Sequence, residues 1–145
     1  MISIKPRLIR LALAGFFIYL IVRFISYTLD IHNHFPNLDL KNARMGVASW
    51  YSETDDHINK HTANGEVFDD KDSTCATWFY DFGEELLVIN AFTGKWIVCR
   101  VNDRGPAKRL RREIDLTKAT FSKIANLKRG LIHVFVIATD TKPKP

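Results

Sequence analysis

Cysteine is scarce in this chain: Cys75 and Cys99 are the only two among 145 residues. With no CxxC pair, and no Cys or carboxylate grouping to complete a site around the histidines, zinc modules are excluded and neither a metal nor a cofactor is expected. Internal repeats of fixed period are absent too, which excludes a solenoid. Nor is there a basic surplus where a nucleic-acid surface would need one. The formal net charge is +5, but Met1–Arg44 holds six Lys/Arg against two Asp/Glu, whereas Met45–Pro145 holds fifteen against fourteen. The excess belongs to the N-terminal appendage, so no nucleic-acid partner is expected. A hydrophobic share of 46% is ordinary for one globular core plus that appendage.

Acidic residues are missing from Met1 to Leu29, which carries Lys5, Arg7 and Arg10 ahead of the uncharged run LALAGFFIYLIV from Leu11 to Val22. Extended through Arg23 to Leu29, this stretch approaches the roughly 30 Å hydrocarbon thickness at about 1.5 Å per helical residue. Arg23 is off-centre and can snorkel to the headgroups. A cleaved signal peptide has a similar apolar region, but no A-x-A site follows and Ser26-Tyr27-Thr28 approximates one poorly. The reading is an uncleaved membrane anchor over 1–29, N-terminus in the cytoplasm and the remainder outside it. Residues 30–44 mix polar residues without a period and read as a linker in which His32 and His34 are solvated. Residues 45–139 form the domain, and 140–145 a tail.

Within that domain the pattern is one of short strands separated by turns: Gly46–Ser52, Ser73–Trp78, Glu85–Ala91, Lys95–Val101, Glu113–Leu116 and Leu131–Ala138. Asn64-Gly65 and Thr93-Gly94 mark turns. One helix is expected over Lys118–Leu127, where Ala119, Phe121, Ile124, Ala125 and Leu127 recur at helical spacing ahead of Gly130. Many short strands with a single helix predict an all-β fold closed into a small barrel.

The stretch Lys95–Thr117 concentrates the chemistry. A β-branched strand runs straight into Asn102-Asp103-Arg104-Gly105-Pro106, where Gly and Pro force a turn and leave ionisable groups at a strand end. Ten residues on, Asp115 sits between Ile114 and Leu116, so alternation sends its carboxylate to the face opposite those side chains. Two such acids suit general acid–base work, because desolvation raises one carboxyl pKa while a nearby Arg keeps another ionised. Turn capping and a helix start are the structural alternatives.

Five blocks, Gly46-Val-Ala-Ser-Trp-Tyr51, Thr62-Ala-Asn-Gly-Glu66, Phe82-Gly83, Val101-Asn-Asp-Arg-Gly-Pro106 and Ile114-Asp-Leu-Thr117, resemble in order and spacing the rare lipoprotein A family. That resemblance implies a six-stranded double-psi β-barrel with one short helix, preceded here by an N-terminal transmembrane helix. It implies bacterial peptidoglycan glycan strands as substrate and, in active members, non-hydrolytic cleavage of the MurNAc–GlcNAc bond by a lytic transglycosylase. The family's acid maps onto Asp103 and a second recurrent acid onto Asp115. Where active relatives carry a His in a Thr-Ala-Ala-His segment, this chain reads Thr74-Cys75-Ala76-Thr77; a hydroxyl at Thr77 cannot carry a proton as imidazole does. His57 and His61, on the preceding polar loop, are either substitutes or exposed loop residues. The family's lipidated Cys also has no counterpart near the apolar segment, which leaves that segment to hold the protein to the membrane.

The expected roles follow. Asp103 acts as general acid and base, with Asp115 second and Thr77 at the third catalytic position. Arg104 holds the turn or a sugar carboxyl, while Trp50, Tyr51, Trp78, Thr62, Asn64 and Glu66 line the substrate. Trp50, Tyr51, Trp78, Phe79 and Tyr80 either stack on sugars, as in a non-catalytic expansin-like binding module, or fill the barrel. The basic run Lys108–Arg112 either is a solvated face or contacts anions. Cys75 and Cys99 either form a disulfide or stay buried thiols. Cell-division or cell-wall proteins are the candidate protein partners.

Overall fold

The computed structural model describes residues 6–56 and 58–139. His57 and the expected tail lie outside them.

Helix α1 spans Pro6–His34. Its Ala12–His34 portion is long and apolar enough to cross a membrane. The helix thus continues into the segment expected to be a linker, where the His34 ring reaches the Asp30 carbonyl at 2.8 Å one turn back. Strand β1 begins at Leu38 and runs to Tyr51, which leaves only Phe35–Asn37 between the two elements. Early β1 pairs Leu38 with Thr139 and Asp39 with Ala138, and the register then shifts before Arg44. The Asp39 carboxylate accounts for the shift by accepting the backbone N–H of Lys41 at 3.1 Å and the side-chain amide of Asn42 at 2.7 Å. Helix and barrel are separate compact units, dividing at Pro36/Asn37.

The barrel adds β2 (Thr74–Ala76), β3 (Glu85–Asn90), β4 (Trp96–Asp103), β5 (Ile114–Thr117) and β6 (Ile132–Thr139), with helix α2 (Lys118–Ile124) between the last two. The six strands close in the order β1-β5-β2-β4-β3-β6. The β1–β5 and β2–β4 pairs are parallel and the other four antiparallel. Closure leaves no free edge along the ring. Alternation fills the interior: Ala48, Cys75, Leu86, Val88, Cys99, Val101, Ile114, Leu116, Val134 and Val136 share one core, joined by Phe121 and Ile124 of α2. Burying a side chain such as Phe121 completely is worth about 1.5–3 kcal/mol. Cys75 and Cys99 are both buried in this core as free thiols. They hydrogen-bond each other, and burial pushes the Cys75 thiol pKa well up.

Candidate functional site

The strand register puts the two acids in line. Ala76 of β2 is the partner of Asp103 on β4 on one side and of Asp115 on β5 on the other, and Asp115 is in turn opposite Ser49 of β1. Residues directly opposite in neighbouring strands project to the same face, so Asp103, Ala76, Asp115 and Ser49 form a row across the outside of the barrel. Two strand spacings of about 4.8 Å separate the acids' backbones. A bulge makes the alignment: the β2–β4 register slips between Cys75 and Ala76, which brings Asp103 rather than Asn102 opposite Ala76. The floor between the acids is low because its residues are small. A Cβ on Gly105 would lie 3.3 Å from the Ala76 Cβ and 3.8 Å from Asp115 Oδ2.

Asp103 is half-buried, and its Oδ1 accepts the backbone N–H of Ala63 and of Arg104, each at 2.8 Å. Its Oδ2 makes no hydrogen bond among the described residues, so the carboxylate is fixed by its other oxygen. Asp115 is more enclosed, its side chain 18% exposed. Ser49 Oγ donates to its Oδ1, and Arg112 bonds that Ser49 oxygen at 2.7 Å while standing 3.8 Å from Asp115. Desolvation nevertheless dominates and raises the Asp115 pKa; the Ser49 hydrogen bond and the Arg112 charge pull it back, and the Asp103 charge adds to the rise. Tyr51 lies two residues beyond Ser49 on the same face, stacked on Phe68 with ring centroids 4.7 Å apart. Its buried hydroxyl has no hydrogen-bond partner among the described residues. Burial first, then the charges of Asp103 and other neighbours including Asp115, raise its pKa, so the phenol stays protonated.

The Thr62–Glu66 block does not line the row directly; it holds Asp103. Its Asn-Gly turn, with Gly65 at φ 93°, is closed by the Thr62 N–H on the Glu66 carbonyl at 2.9 Å. Thr62 Oγ1 donates to Asn64 at 2.7 Å, and Asn64 donates to Glu66 at 2.9 Å. Glu66 also grips β4, through a fork to Arg100 at 2.7 and 2.9 Å and a bond from Asn102 at 3.0 Å. Those hydrogen bonds, from Arg100 first and then Asn102 and Asn64, hold its pKa down at about 2. The clasp fixes the loop so that the Ala63 amide points at Asp103.

The other expected site residues separate by packing. The Thr77 hydroxyl is buried, donates to the Glu113 carbonyl at 3.1 Å and accepts the Phe79 N–H at 3.3 Å, so it is spent on the backbone and does not join the row. Arg104 donates to the carbonyls of Thr77 at 2.9 Å and Tyr80 at 2.8 Å, both through Nη1, and lies over the Phe82 ring. Trp50 packs against the core with Nε1 on the Leu127 carbonyl at 3.1 Å, and Tyr80 is buried with its hydroxyl on two carbonyls. Trp78 and Phe79 remain about half exposed. His61 is exposed and bridges to Val67. Sequence reasoning missed Ser49, Ala76, Gly105 and the pairing of Arg112 with Ser49. The signal that could have found Ser49 is strand alternation, since it is flanked by Ala48 and Trp50, which pack toward the core. Glu53, Asp69 and Asp70 bring carboxylates within 4.8 Å of one another elsewhere, and Asp70 is already engaged by Ser52 and the Glu53 amide.

Comparison with known proteins agrees with this architecture. The family model described as "Lytic transglycolase" matches residues 43–136. Among curated relatives, "Endolytic peptidoglycan transglycosylase RlpA" of Pseudomonas aeruginosa (strain UCBPP-PA14) is 36% identical over 115 residues, 79% of this chain and 33% of that protein. The Vibrio cholerae protein of the same name is 37% identical over 105 residues, 69% of this chain and 38% of that one. The chain therefore spans about a third of the length of these relatives. Of solved structures, a mutant Clavibacter michiganensis expansin in complex with cellohexaose aligns with TM-score 0.53 at 16% identity, over 71% of this chain and 53% of that one. The Streptomyces papain inhibitor aligns with TM-score 0.51 at 23% identity, over 66% of this chain and 93% of that one. These two likenesses establish the double-psi barrel fold alone. On the span and position of the family match, this chain belongs to the lytic transglycolase family of double-psi β-barrels.

Proposed function

We propose that this protein is a membrane-anchored, peptidoglycan-directed lytic transglycosylase whose Asp103 and Asp115 share the proton work at the MurNAc–GlcNAc bond. The observation that carries the reading is the row itself: two carboxyl groups on one face, separated only by Ala76 and Gly105, with opposite surroundings. Asp115, raised by desolvation, is suited to hold a proton and deliver it to the leaving glycosidic oxygen. Asp103 offers a free Oδ2 to receive the proton of the muramyl C6 hydroxyl as that oxygen bonds to the anomeric carbon. The glycosidic C–O bond breaks, a C1–O6 bond forms, one proton enters at the leaving oxygen and one departs from O6; no water is consumed. This division of labour differs from the single-acid expectation and does not depend on Thr77. The apolar helix would hold the chain in the inner membrane as a single pass with the barrel in the periplasm, beside glycan strands and cell-wall or division proteins.

The test is release of anhydro-muramic ends, read by mass spectrometry, from purified cell walls incubated with the full chain in neutral detergent. Asp103→Asn and Asp115→Asn should each lower the rate by about 10²–10⁴. Wild-type rates in both variants would overturn the assignment. The second reading, a glycan-gripping module, draws on the half-exposed Trp78 and Phe79; retention on cell walls with no soluble product from the wild type would select it.

A further inference from the structure

Beside the acid row lies a pocket of about 480 Å³ walled by Trp78, Phe79 and Pro106 and reached by Lys108, Arg111 and Arg112. We propose that it is an anion-accepting subsite for the carboxylate of a muramyl unit, borne either on the lactyl arm or on the attached stem peptide. The inference rests on the peptidoglycan reading and names the part of the substrate that this pocket would recognise.

Charge accounting within the pocket comes first. Among the described residues Glu113 is the only acid on its wall, and it is already paired with Arg44 and sits with its side chain 9% exposed. Arg112 is engaged by Ser49 and lies near Asp115. Lys108 and Arg111 remain: among the described residues neither makes an ion pair or a side-chain hydrogen bond, and Lys108 Nζ stands 5.1 Å from the centre of the Trp78 ring. Two cations beside a compensated acid leave the pocket positive. Backbone geometry points the same way. Arg111 sits in the left-handed region, φ 50° and ψ 37°, at the end of the short 3-10 turn over Lys108–Leu110. A Gly or Asn would relieve that conformation, and an arginine there keeps a guanidinium at the pocket mouth.

The aromatic wall supplies the sugar-facing half. Trp78 is 46% exposed and its ring is fixed by Nε1 donating to the Pro106 carbonyl at 2.7 Å. It therefore presents a pre-oriented face for a pyranose ring without ordering on binding. Arg112 links this pocket to the acid row, since it lines the one and bonds Ser49 in the other. A glycan strand crossing Ala76 would place a neighbouring sugar at Trp78 and its carboxylate toward Lys108 and Arg111. A bidentate guanidinium–carboxylate contact would distinguish this ligand from a neutral chitin-like strand.

The experiment measures binding of the full chain, in neutral detergent and carrying Asp103→Asn so that the probe is not consumed. Three probes of equal backbone length are compared: a stem-free GlcNAc–MurNAc oligosaccharide, its peptide-bearing counterpart and neutral chitotetraose. The carboxylate probes should bind at least about tenfold more tightly than chitotetraose at low salt, with the advantage shrinking at high salt. Lys108→Gln/Arg111→Gln should erase the advantage while leaving chitotetraose affinity unchanged, and Lys108→Arg/Arg111→Lys should restore most of it. Preference for the stem-free probe assigns the lactyl carboxylate, and preference for the other assigns the peptide. Equal affinity for all three probes, or an advantage that survives the Gln pair, overturns the subsite. The two readings fail separately. Wild-type release of anhydro ends without a carboxylate preference removes only the subsite, and a carboxylate preference without anhydro ends removes only the cutting reaction.

Discussion

Replacing Glu66 with Gln should unclasp Asp103 without emptying the site. Glu66 accepts two bonds from Arg100 and one each from Asn102 and Asn64, and these lower its pKa from an ordinary 4.5 to about 2. Taken at face value, a shift of that size is worth roughly 3 kcal/mol. The side chains of Glu66 and Arg100 are 41% and 40% exposed, however, so solvent screening reduces the expected contribution to about 1 kcal/mol. The sign is fixed by the direction of the shift. A carboxylate with a depressed folded-state pKa stabilises the fold above the unfolded value near 4.5, and the contribution is lost as pH falls from there toward 2. Urea unfolding of the wild type should therefore lose about 1 kcal/mol across that window from this group, and Glu66→Gln should lack that component. At neutral pH the Glu66/Arg100 double-mutant cycle should return a coupling of the same size. Amide exchange gives the local readout: the Ala63 N–H, bonded to Asp103 at 2.8 Å, should exchange about fivefold faster in the variant, as about 1 kcal/mol of lost clasp implies. An unchanged Ala63 rate together with zero coupling would refute the view that this loop is held on β4 by Glu66.

Four further outcomes are expected. Gly46→Ala should destabilise the barrel by about 1–3 kcal/mol in urea melts, because the new Cβ would stand 2.7 Å from the Glu113 Cβ, whose backbone is pinned by the Val47 carbonyl. Gly105→Ala, with its nearest contacts at 3.3 and 3.8 Å, should fold but narrow the floor between the acids, lowering anhydro-product release more than stability. Asp115→Asn should change stability in a pH-dependent way. The raised folded-state pKa means that wild type loses stability as pH rises from the unfolded value toward the folded one, so the variant's relative stability should climb through that window in parallel melts. Cys75, buried with a raised pKa, should resist alkylation in the folded chain and react only under denaturant, a difference read by mass shift.

Much of the barrel was legible in the sequence because its strands alternate cleanly. Ile97, Cys99 and Val101 point inward at every second position of β4, and Gly105-Pro106 punctuates its end, so Asp103 at a strand terminus could be read directly. Asp115 was legible by the same alternation. What escaped was long-range pairing. Ala76 as the common partner of both acids depends on a bulge at Asn102, and nothing local in Val-Asn-Asp announces one. The Thr62–Glu66 block looked like a substrate-facing motif, yet Thr62 and Asn64 bond within it and Glu66 grips β4, a use that becomes visible only once Arg100 and Asn102 lie beside it. Arg104 and Thr77 were likewise ambiguous, since whether a donor meets a substrate or a carbonyl depends on where the Thr77–Phe82 turn folds back. The extent of α1 was missed because Asp30–His34 is polar, and propensity gave way there to a helix already nucleated by the apolar run.

The balance between cutting and gripping turns on two groups that a purely adhesive surface has no need for. Tyr51 keeps a buried hydroxyl with no partner among the described residues, and Asp115 keeps a carboxyl whose charged form burial disfavours; both lie on the face that carries Asp103. Unsatisfied and desolvated polar groups cost stability, and a fold retains them together where an incoming ligand completes them. A neutral phenol on the same face as a carboxyl whose proton burial helps retain suits an oxygen that must accept a proton as its bond breaks, whereas stacking on a glycan requires only the aromatic faces already supplied by Trp78 and Phe79. The position at which active relatives carry a His is filled by a Thr whose hydroxyl is bonded to the backbone, which on the proposed reading leaves proton transfer to the carboxyl pair. On the proposed reading, activity should fall as pH rises and Asp115 loses its proton, and exchanging Thr77 for His would disturb a closed hydrogen-bond pair rather than restore a missing catalyst.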